Sequence, residues 1–349
     1  MKTAVVICPG RGTYGKNELG YLTRHHAGRA DIVAAFDAER AALGQDTLAD
    51  LDGAKSYSIA RHTRGDNASA LIYTCSLLDF QAIDREAVEI VAVTGNSMGW
   101  YSALACAGAL SAANGFRVVN TMGMLMQESL IGGQLIYPFV SDDWQNDAGR
   151  KAELLNTVAD IDAQPEMTLG LSIDLGGMLV LAGDEAGLAA FEAAVPPVQG
   201  RFPLRLANHA AFHTALQKPV SQAGREKLAA GMFGQPELPL IDGRGAIWWP
   251  QAVDPSALWD YTTAHQVTEP YDFTRAIRTA AHEFAPDLFI ITGPGTTLGG
   301  AVAQSLIISQ WKEMRSKDDF QARQQAEPLL ASMDMAEQRT TVTNEGVNT

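Results

Sequence analysis

VAVTGNSMGWYSALACAGAL, residues 91–110, changes character in its middle. It begins with residues typical of a buried strand and ends with an alanine-rich segment typical of a helix. Between them a G-x-S-x-G sequence surrounds Ser97, and the flanking glycines allow the backbone to turn sharply and neighbouring elements to pack closely. The stretch therefore predicts a strand, a tight turn and a helix, with the Ser97 hydroxyl exposed at the carboxyl end of a sheet.

Two other segments repeat this order of strand, turn and helix. TAVVICP near the N-terminus and DLFIITG near residue 290 are strand-like, and each stops at glycine or proline before a helical pattern. The repetition predicts an α/β fold with a mostly parallel sheet covered by helices. We assign residues 1–132 and 204–335 to this large domain.

Residues 133–203 follow the order strand, helix, two strands and helix, which predicts a small α+β insertion. Residues 336–349 are predicted to be a disordered tail.

Composition excludes several classes of partner. The 349 residues carry a net charge of −14, which disfavours nucleic acid or an anionic membrane as the main partner. Three scattered cysteines form neither a disulfide framework nor a zinc motif, so a cytoplasmic protein with reduced thiols is expected. Residues 288–311 are uncharged, but their internal glycines and proline predict a strand, a turn and a helix rather than a membrane span.

The serine of the turn suggests nucleophilic catalysis. Amides at the start of the following helix, Met98 N–H among them, would stabilise negative charge on a bound carbonyl. A serine nucleophile also needs a base, and ANHAAFHTAL offers two candidates, His209 and His213, directly after the insertion. His25 and His26 lie in a polar helical pattern, where a solvated face is expected and no metal spacing is evident. The alternative is that Ser97 merely caps a turn.

Several motifs, in the same order, resemble the malonyl-CoA:acyl carrier protein transacylase family over roughly residues 3 to 308. The matching segments are CPGRGTYG to FPGQGSQ, GNSMGWYSALACAGAL to GHSxGEYxALxxAG, GGMLVLAG to PGQVVIAG, AAFHTAL to AFHSPLM, HQVTEPYDF to QLTSPVRW, and TGPGTTLGG to GPGKVLTG. The resemblance implies the acyltransferase fold of fatty acid and polyketide synthesis, in which the insertion is a ferredoxin-like subdomain.

The resemblance also implies roles for individual residues. Ser97 would take an acyl group from a thioester, and His213 would act as general base and acid. The oxyanion hole would be formed by the backbone N–H groups of Arg11 and Met98. In this family a backbone carbonyl orients the histidine, and we expect it in PLIDGRG, at Asp242 or Gly243.

Departures from the family concern the acyl pocket. Met122 stands where malonyl-specific members carry an arginine that pairs with the free carboxylate, and losing that charge-assisted pair in a desolvated site costs several kcal/mol. Asn96 replaces the histidine of GHS and Asn67 a pocket glutamine, and the resemblance puts both in the acyl pocket with Phe212. An uncharged acyl group is therefore expected, the alternative being that Arg11 supplies the missing cation.

The expected function is transfer of an acyl group from acyl-CoA to the phosphopantetheine thiol of an acyl carrier protein. The alternatives are an acyl-thioester hydrolase on the same fold, a malonyltransferase with a relocated cation, an esterase of the α/β-hydrolase fold using His282, and a non-catalytic relative. No metal or tightly bound cofactor is implied, and a cytoplasmic monomer is expected by analogy.

Overall fold

The protein is described by a computed structural model that covers residues 1–344. Its strands are β1 Lys2–Cys8, β2 Val88–Gly95, β3 Gly133–Pro138, β4 Leu169–Leu175, β5 Met178–Gly183, β6 Leu204–Arg205, β7 Leu240–Ile241, β8 Ile247–Trp248, β9 Tyr271–Asp272, β10 Leu288–Ile291 and β11 Leu330–Ser332.

The α-helices are α1 Tyr21–His26, α2 Ala30–Ala42, α3 Leu48–Asp52, α4 Ile59–His62, α5 Gly65–Ala82, α6 Gly99–Cys106, α7 Ala112–Ser129, α8 Ala148–Asp162, α9 Glu185–Ala194, α10 Lys218–Lys227, α11 Pro255–Asp260, α12 Gln266–Thr268, α13 Phe273–Phe284, α14 Leu298–Ile308, α15 Lys317–Ala326 and α16 Ala336–Arg339. Short 3-10 turns are Ala27–Arg29, Ala215–Gln217, Ala230–Met232 and Trp311–Glu313, and a π-helical turn, Tyr261–His265, joins α11 to α12.

The larger sheet has the strand order β11-β10-β1-β2-β7-β8. Its pairs are parallel except for the antiparallel hairpin of β7 and β8. The central strands β1, β2 and β10 are mostly buried, as expected for parallel strands with helices on both faces. The predicted parallel sheet is therefore confirmed, and the carboxyl ends of β1 and β2 lie side by side, with Cys8 opposite Gly95.

The smaller sheet has the order β6-β3-β5-β4-β9. The predicted succession of strand, helix, two strands and helix is present as β3, α8, β4, β5 and α9, and these elements enclose a hydrophobic core of their own. Two short strands outside residues 133–203 complete the sheet: β6 pairs with β3, and β9 pairs in parallel with β4. The boundaries assigned to the two domains stay a prediction.

The predicted disordered tail is wrong for residues 336–344. Arg339, at the end of α16, is buried and donates to Asp79 over 2.7 Å, and Val342 is also buried. Thr343 then forms an isolated bridge with Ile83. The sequence does not indicate this packing, because the segment has few apolar residues and is anchored by a buried ion pair. The rest of the predicted tail, residues 345–349, lies outside the described residues.

Residues 288–311 contain β10, a turn and α14, as predicted. Within residues 1–344, no helix combines the length and the apolar character that crossing a membrane requires.

Candidate active site

Ser97 occupies the turn between β2 and α6, at the carboxyl edge of the larger sheet. Its φ angle of 55° lies in the left-handed region, an uncommon conformation for a residue with a side chain and one that is found at strained functional turns. The turn is tied to β1 by a hydrogen bond from Asn96 N–H to the Cys8 carbonyl, 3.0 Å long. Ser97 itself is only partly buried, so its hydroxyl is presented above the sheet as the sequence predicts.

His213 faces Ser97 directly. The distance between Ser97 Oγ and His213 Nε2 is 2.7 Å, which is a hydrogen bond of the length expected for a serine and its base. His213 is buried and also has a positive φ, 58°, so its position is determined by the packing around it. The other candidate, His209, is directed elsewhere: its Nδ1 lies 2.8 Å from Gln134 Oε1.

The carbonyl that orients His213 belongs to Gln266, 2.7 Å from His213 Nδ1. The prediction of Asp242 or Gly243 is wrong, because both carbonyls are occupied within the β7–β8 hairpin and its surroundings. The Asp242 carbonyl accepts from Gly245 N–H across the hairpin turn, and the Gly243 carbonyl accepts from Asp272 N–H.

The Gln266 carbonyl is available because of the sequence that follows it. In a continuing helix it would accept from the residue four positions later, which is Pro270 and has no N–H. This proline is the signal from which the orienting residue could have been found. The Gln266 side chain adds further contacts: its Nε2 donates to the Ser97 carbonyl over 3.1 Å, and its Oε1 accepts from the Tyr101 hydroxyl over 2.8 Å.

Burial keeps His213 neutral. It lowers the pKa of the imidazole from 6.5 to about 4, and the hydrogen bond to the Gln266 carbonyl opposes this shift only in part. A neutral imidazole with Nδ1–H donated to Gln266 has a free lone pair on Nε2. His213 is therefore in the protonation state needed to accept the Ser97 proton over the whole physiological range of pH.

This pKa leads to a prediction for the acid limb of the reaction. The rate of acylation should be unchanged from about pH 8 to about pH 5 and fall to half at about pH 4, because only neutral His213 accepts the proton. The measurement is kcat/KM for an N-acetylcysteamine thioester, which has no titrating group in this range. An acid limb near the ordinary histidine value would contradict the assignment. Circular dichroism at each pH is the control, since protonation of a buried histidine also destabilises the fold below about pH 6.5.

The two residues predicted to form the oxyanion hole, Arg11 and Met98, line the same cavity as Ser97. Within residues 1–344, neither Arg11 N–H nor Met98 N–H donates a hydrogen bond to another protein group. Met98 directly precedes α6, so its amide carries the partial positive charge of that helix start. Unpaired N–H groups next to a serine are what stabilisation of a tetrahedral oxyanion requires.

A small cavity, which we call the inner cavity, extends from Ser97 between α5, α6, α7 and α12. Its volume of about 20 Å³ is close to the space that one water molecule needs. The wall contains two of the four predicted pocket residues, Met122 and Phe212. Its other members are both apolar and polar: Arg11, Ser69, Ser97, Met98, Tyr101, Val119, Gly123, Met126, His213, Gln266 and Val267. Met122 is almost fully buried and its sulfur packs over Gly224 of α10.

A larger cavity, which we call the groove, reaches Ser97 from the other side. It has a volume of about 530 Å³ and runs between the two sheets. Its walls contain Asn96 from the turn after β2, Thr297 and Leu298 from the start of α14, and Ile136 and Met178 from the smaller sheet. The site is thus a serine at the meeting point of a narrow inner cavity and a wide apolar groove.

Asn67 and Asn96 are not in the inner cavity. Asn67 is buried on the far side of α5, where its side chain accepts from Arg40 and donates to the Arg61 carbonyl, so its assignment to the acyl pocket is wrong. Asn96 lines the groove instead, and its Oδ1 is buried without a hydrogen-bond partner among residues 1–344.

His26 corrects a further expectation. It was expected on a solvated face, but it is buried and lies 2.8 Å from the carboxylate of Asp79. Arg339 from the C-terminal segment contacts the same carboxylate, so this cluster is structural and remote from Ser97.

Several known proteins are similar to this chain in sequence or in fold. No protein-family model matches the chain. The malonyl CoA-acyl carrier protein transacylase of Salmonella typhimurium is 23% identical over 295 residues, which cover 84% of this chain and 90% of that protein. The crystal structure of the malonyl-CoA:acyl carrier protein transacylase of Xanthomonas oryzae superposes with a TM-score of 0.76 at 18% identity, covering 99% of each chain.

A further solved structure is a malonyl-transacylase in complex with a type II polyketide synthase acyl-carrier protein. It superposes with a TM-score of 0.69 at 20% identity and covers 98% of this chain and 99% of that one. At such identities the structures establish the fold, and the relation to the Salmonella typhimurium transacylase extends over most of both sequences. The chain therefore has the fold of the malonyl-CoA:acyl carrier protein transacylases, and its sequence resembles theirs over most of its length.

Proposed function

We propose that this protein transfers an uncharged acyl group from acyl-CoA to the phosphopantetheine thiol of an acyl carrier protein through an acyl-Ser97 intermediate. The observation that carries the proposal is the chain of hydrogen bonds from Ser97 Oγ to His213 Nε2 and from His213 Nδ1 to the Gln266 carbonyl, both 2.7 Å long. It joins a nucleophile, a base and an orienting group at the junction of the inner cavity and the groove.

In the first half-reaction Ser97 Oγ attacks the thioester carbonyl while His213 Nε2 takes its proton. Negative charge develops on the carbonyl oxygen, where Arg11 N–H and Met98 N–H stabilise it. The tetrahedral intermediate collapses as the bond between carbon and sulfur breaks, and the imidazolium returns its proton to the departing CoA thiolate. The second half-reaction is the reverse with another thiol. His213 takes the proton of the phosphopantetheine thiol, the sulfur attacks the acyl carbon, and the bond from that carbon to Ser97 Oγ breaks as His213 returns the proton to Oγ.

The inner cavity supports an uncharged acyl group. Met122 contributes a thioether where the resemblance places a carboxylate-binding arginine, and Arg11 is the one cationic side chain among the residues lining this cavity. Arg11 is poorly suited to replace the missing arginine. Its Nη2 already donates to the Thr63 carbonyl over 2.8 Å and to the Asn208 carbonyl over 2.9 Å. A bidentate pair with a carboxylate needs an N–H of Nη2 together with one of Nε or Nη1, and both N–H groups of Nη2 are committed.

The groove supports a long, flexible second substrate. Its length and apolar walls suit a pantetheine arm, and a protein of the same fold has been solved with an acyl carrier protein. Arg201, exposed beside the groove, is available to an acidic carrier protein. Two other arginines near the base segment are engaged: Arg205 pairs with Glu185 and Glu192, and Arg225 pairs with Asp260.

The proposal predicts a stable acyl-enzyme that distinguishes acyl groups by charge. Incubation with acetyl-CoA, propionyl-CoA and malonyl-CoA, followed by intact mass spectrometry, should show acyl-Ser97 from the uncharged thioesters at least about 10-fold faster than from malonyl-CoA, because an unpaired desolvated carboxylate is costly. Addition of a holo carrier protein should then remove the label and increase the mass of the carrier.

Two outcomes would change the assignment. Rapid loss of the label without carrier protein would identify a thioester hydrolase, and an acyl-enzyme formed chiefly from malonyl-CoA would contradict the uncharged acyl group. The control is Ser97→Ala, which should take no label from any thioester.

A further inference from the structure

Arg11 has a donor that the protein leaves unused. Its Nε is buried and has no hydrogen-bond partner among residues 1–344. A buried polar group without a partner is destabilising, so a ligand that supplies an acceptor is favoured. Arg11 lines both the inner cavity and the groove, so a bound substrate lies against this residue.

The orientation of the guanidinium is fixed by its other contacts. Nη2 bridges two backbone carbonyls from separate parts of the chain, Thr63 and Asn208. These two residues are joined to each other by a hydrogen bond from Asn208 Nδ2 to Thr63 Oγ1, 2.6 Å long. The guanidinium carbon also lies 5.4 Å from the centre of the Phe212 ring, within the range of a cation–π contact. These three contacts fix the guanidinium, so its Nε–H has one orientation before a ligand binds.

The free donor fits one acceptor atom rather than a carboxylate. With both N–H groups of Nη2 engaged, neither bidentate geometry is open, so the buried Nε–H can form only a single hydrogen bond. A hydroxyl or keto oxygen satisfies such a donor without bringing a second charge into an apolar cavity. Burial lowers the pKa of Arg11 to about 10, so the guanidinium is still charged at neutral pH.

We propose that Arg11 Nε donates a hydrogen bond to a neutral oxygen on the third carbon of the acyl group, so that the enzyme prefers 3-hydroxyacyl or 3-oxoacyl thioesters to unsubstituted ones. The position rests on the proposed role of the Arg11 backbone N–H as a donor to the thioester oxygen. Two bond counts are similar. One is the number of bonds in Arg11 between the backbone N and Nε, and the other is the number of bonds in the acyl group between the thioester oxygen and an oxygen on the third carbon. This inference rests on acyl transfer through Ser97.

The test compares three thioesters with the same three-carbon chain. The third carbon is a methyl group in propionyl-CoA, a hydroxymethyl group in 3-hydroxypropionyl-CoA and a carboxylate in malonyl-CoA. We measure kcat/KM for acylation of Ser97 and expect 3-hydroxypropionyl-CoA to exceed propionyl-CoA by about 10-fold or more, since a site built to bind a hydroxyl rejects the analogue that lacks it.

The variants separate Arg11 from other sources of preference. In Arg11→Met the ratio of the two kcat/KM values should fall to about 1–2, whatever happens to the absolute rates. Arg11→Leu, which also removes Nε–H and leaves no side-chain donor, should lose the preference as well and replaces Arg11→Met if that variant does not fold. The matched control is Arg64→Met, which removes the same charge from a half-exposed arginine outside the inner cavity and should keep the wild-type ratio.

Equal rates for propionyl- and 3-hydroxypropionyl-CoA in the wild type, or a preference that survives Arg11→Met and Arg11→Leu, would overturn the inference while leaving acyl transfer intact. Faster acylation by malonyl-CoA than by 3-hydroxypropionyl-CoA would overturn it together with the uncharged acyl group. Absence of acyl-Ser97 with every thioester, acetyl-CoA included, would overturn the proposed function itself.

Discussion

Replacing Ser97 with alanine is expected to lower acyl transfer by at least about 10⁴-fold, equivalent to about 5.5 kcal/mol of transition-state stabilisation. The variant keeps the backbone donors and the cavities but has no atom to carry the acyl group, so intact mass spectrometry should show no adduct. His213→Ala should cost a similar factor, because Ser97 Oγ then loses the base 2.7 Å away.

The two residues act as one unit, and the double variant tests this directly. Ser97→Ala combined with His213→Ala should be no slower than the worse single variant, since removing one member already abolishes the shared step. Multiplicative losses would show that the two side chains act independently and would contradict the mechanism. His209→Gln is the matched control: this neighbouring histidine contacts Gln134 rather than Ser97, and its substitution should change transfer by no more than a few-fold.

Replacing Gly99 with alanine should lower the free energy of unfolding by about 3 kcal/mol or more. A methyl group at this position would overlap the Cys8 carbonyl and lie 2.8 Å from the Pro9 carbonyl oxygen. Both contacts are with backbone atoms, so a change of side-chain rotamer cannot relieve either of them. Urea unfolding followed by tryptophan fluorescence measures the loss.

The same substitution should also reduce transfer in molecules that stay folded. Relief of the overlap moves the end of β1 away from α6, and with it the Arg11 amide, which follows Pro9 and Gly10. Loss of one oxyanion donor lowers kcat by about 100-fold or more. The control is Gly300→Ala within α14, where the added methyl meets no atom within 4 Å and stability should stay within about 1 kcal/mol of the wild type. Wild-type stability in Gly99→Ala would show that β1 and α6 are not packed as described.

Much of the site could be predicted because it depends on local rules. Glycines around Ser97, a strand-like run before it and a helical run after it determine the turn whatever surrounds them. The same holds for β1, β2 and β10, whose continuous apolar sequences are typical of strands buried on both faces. The sequence reduced the candidates for the base to His209 and His213, and the family resemblance identified His213. The structure places His213 next to Ser97.

The orienting carbonyl was not found because every residue has one. Choosing among carbonyls requires knowing which are already used, and the hairpin turn and its neighbours occupy those of Asp242 and Gly243. Pro270 marks Gln266 as free, but this signal has meaning only once a helix is known to precede it. Asn67 was misplaced for a similar reason, since its burial beside Arg40 depends on the packing of α2 against α5.

The sequence by itself determined the strand, turn and helix around Ser97, the parallel sheet and the kind of chemistry, because these follow from short-range periodicity and from residue types. Only the tertiary structure decided which carbonyl holds His213, that Arg339 is anchored on Asp79, and that Nη2 of Arg11 is committed while its Nε is free. The physical reason is that hydrogen-bonding groups are shared among segments far apart in the chain, and their occupancy is settled only when those segments pack together.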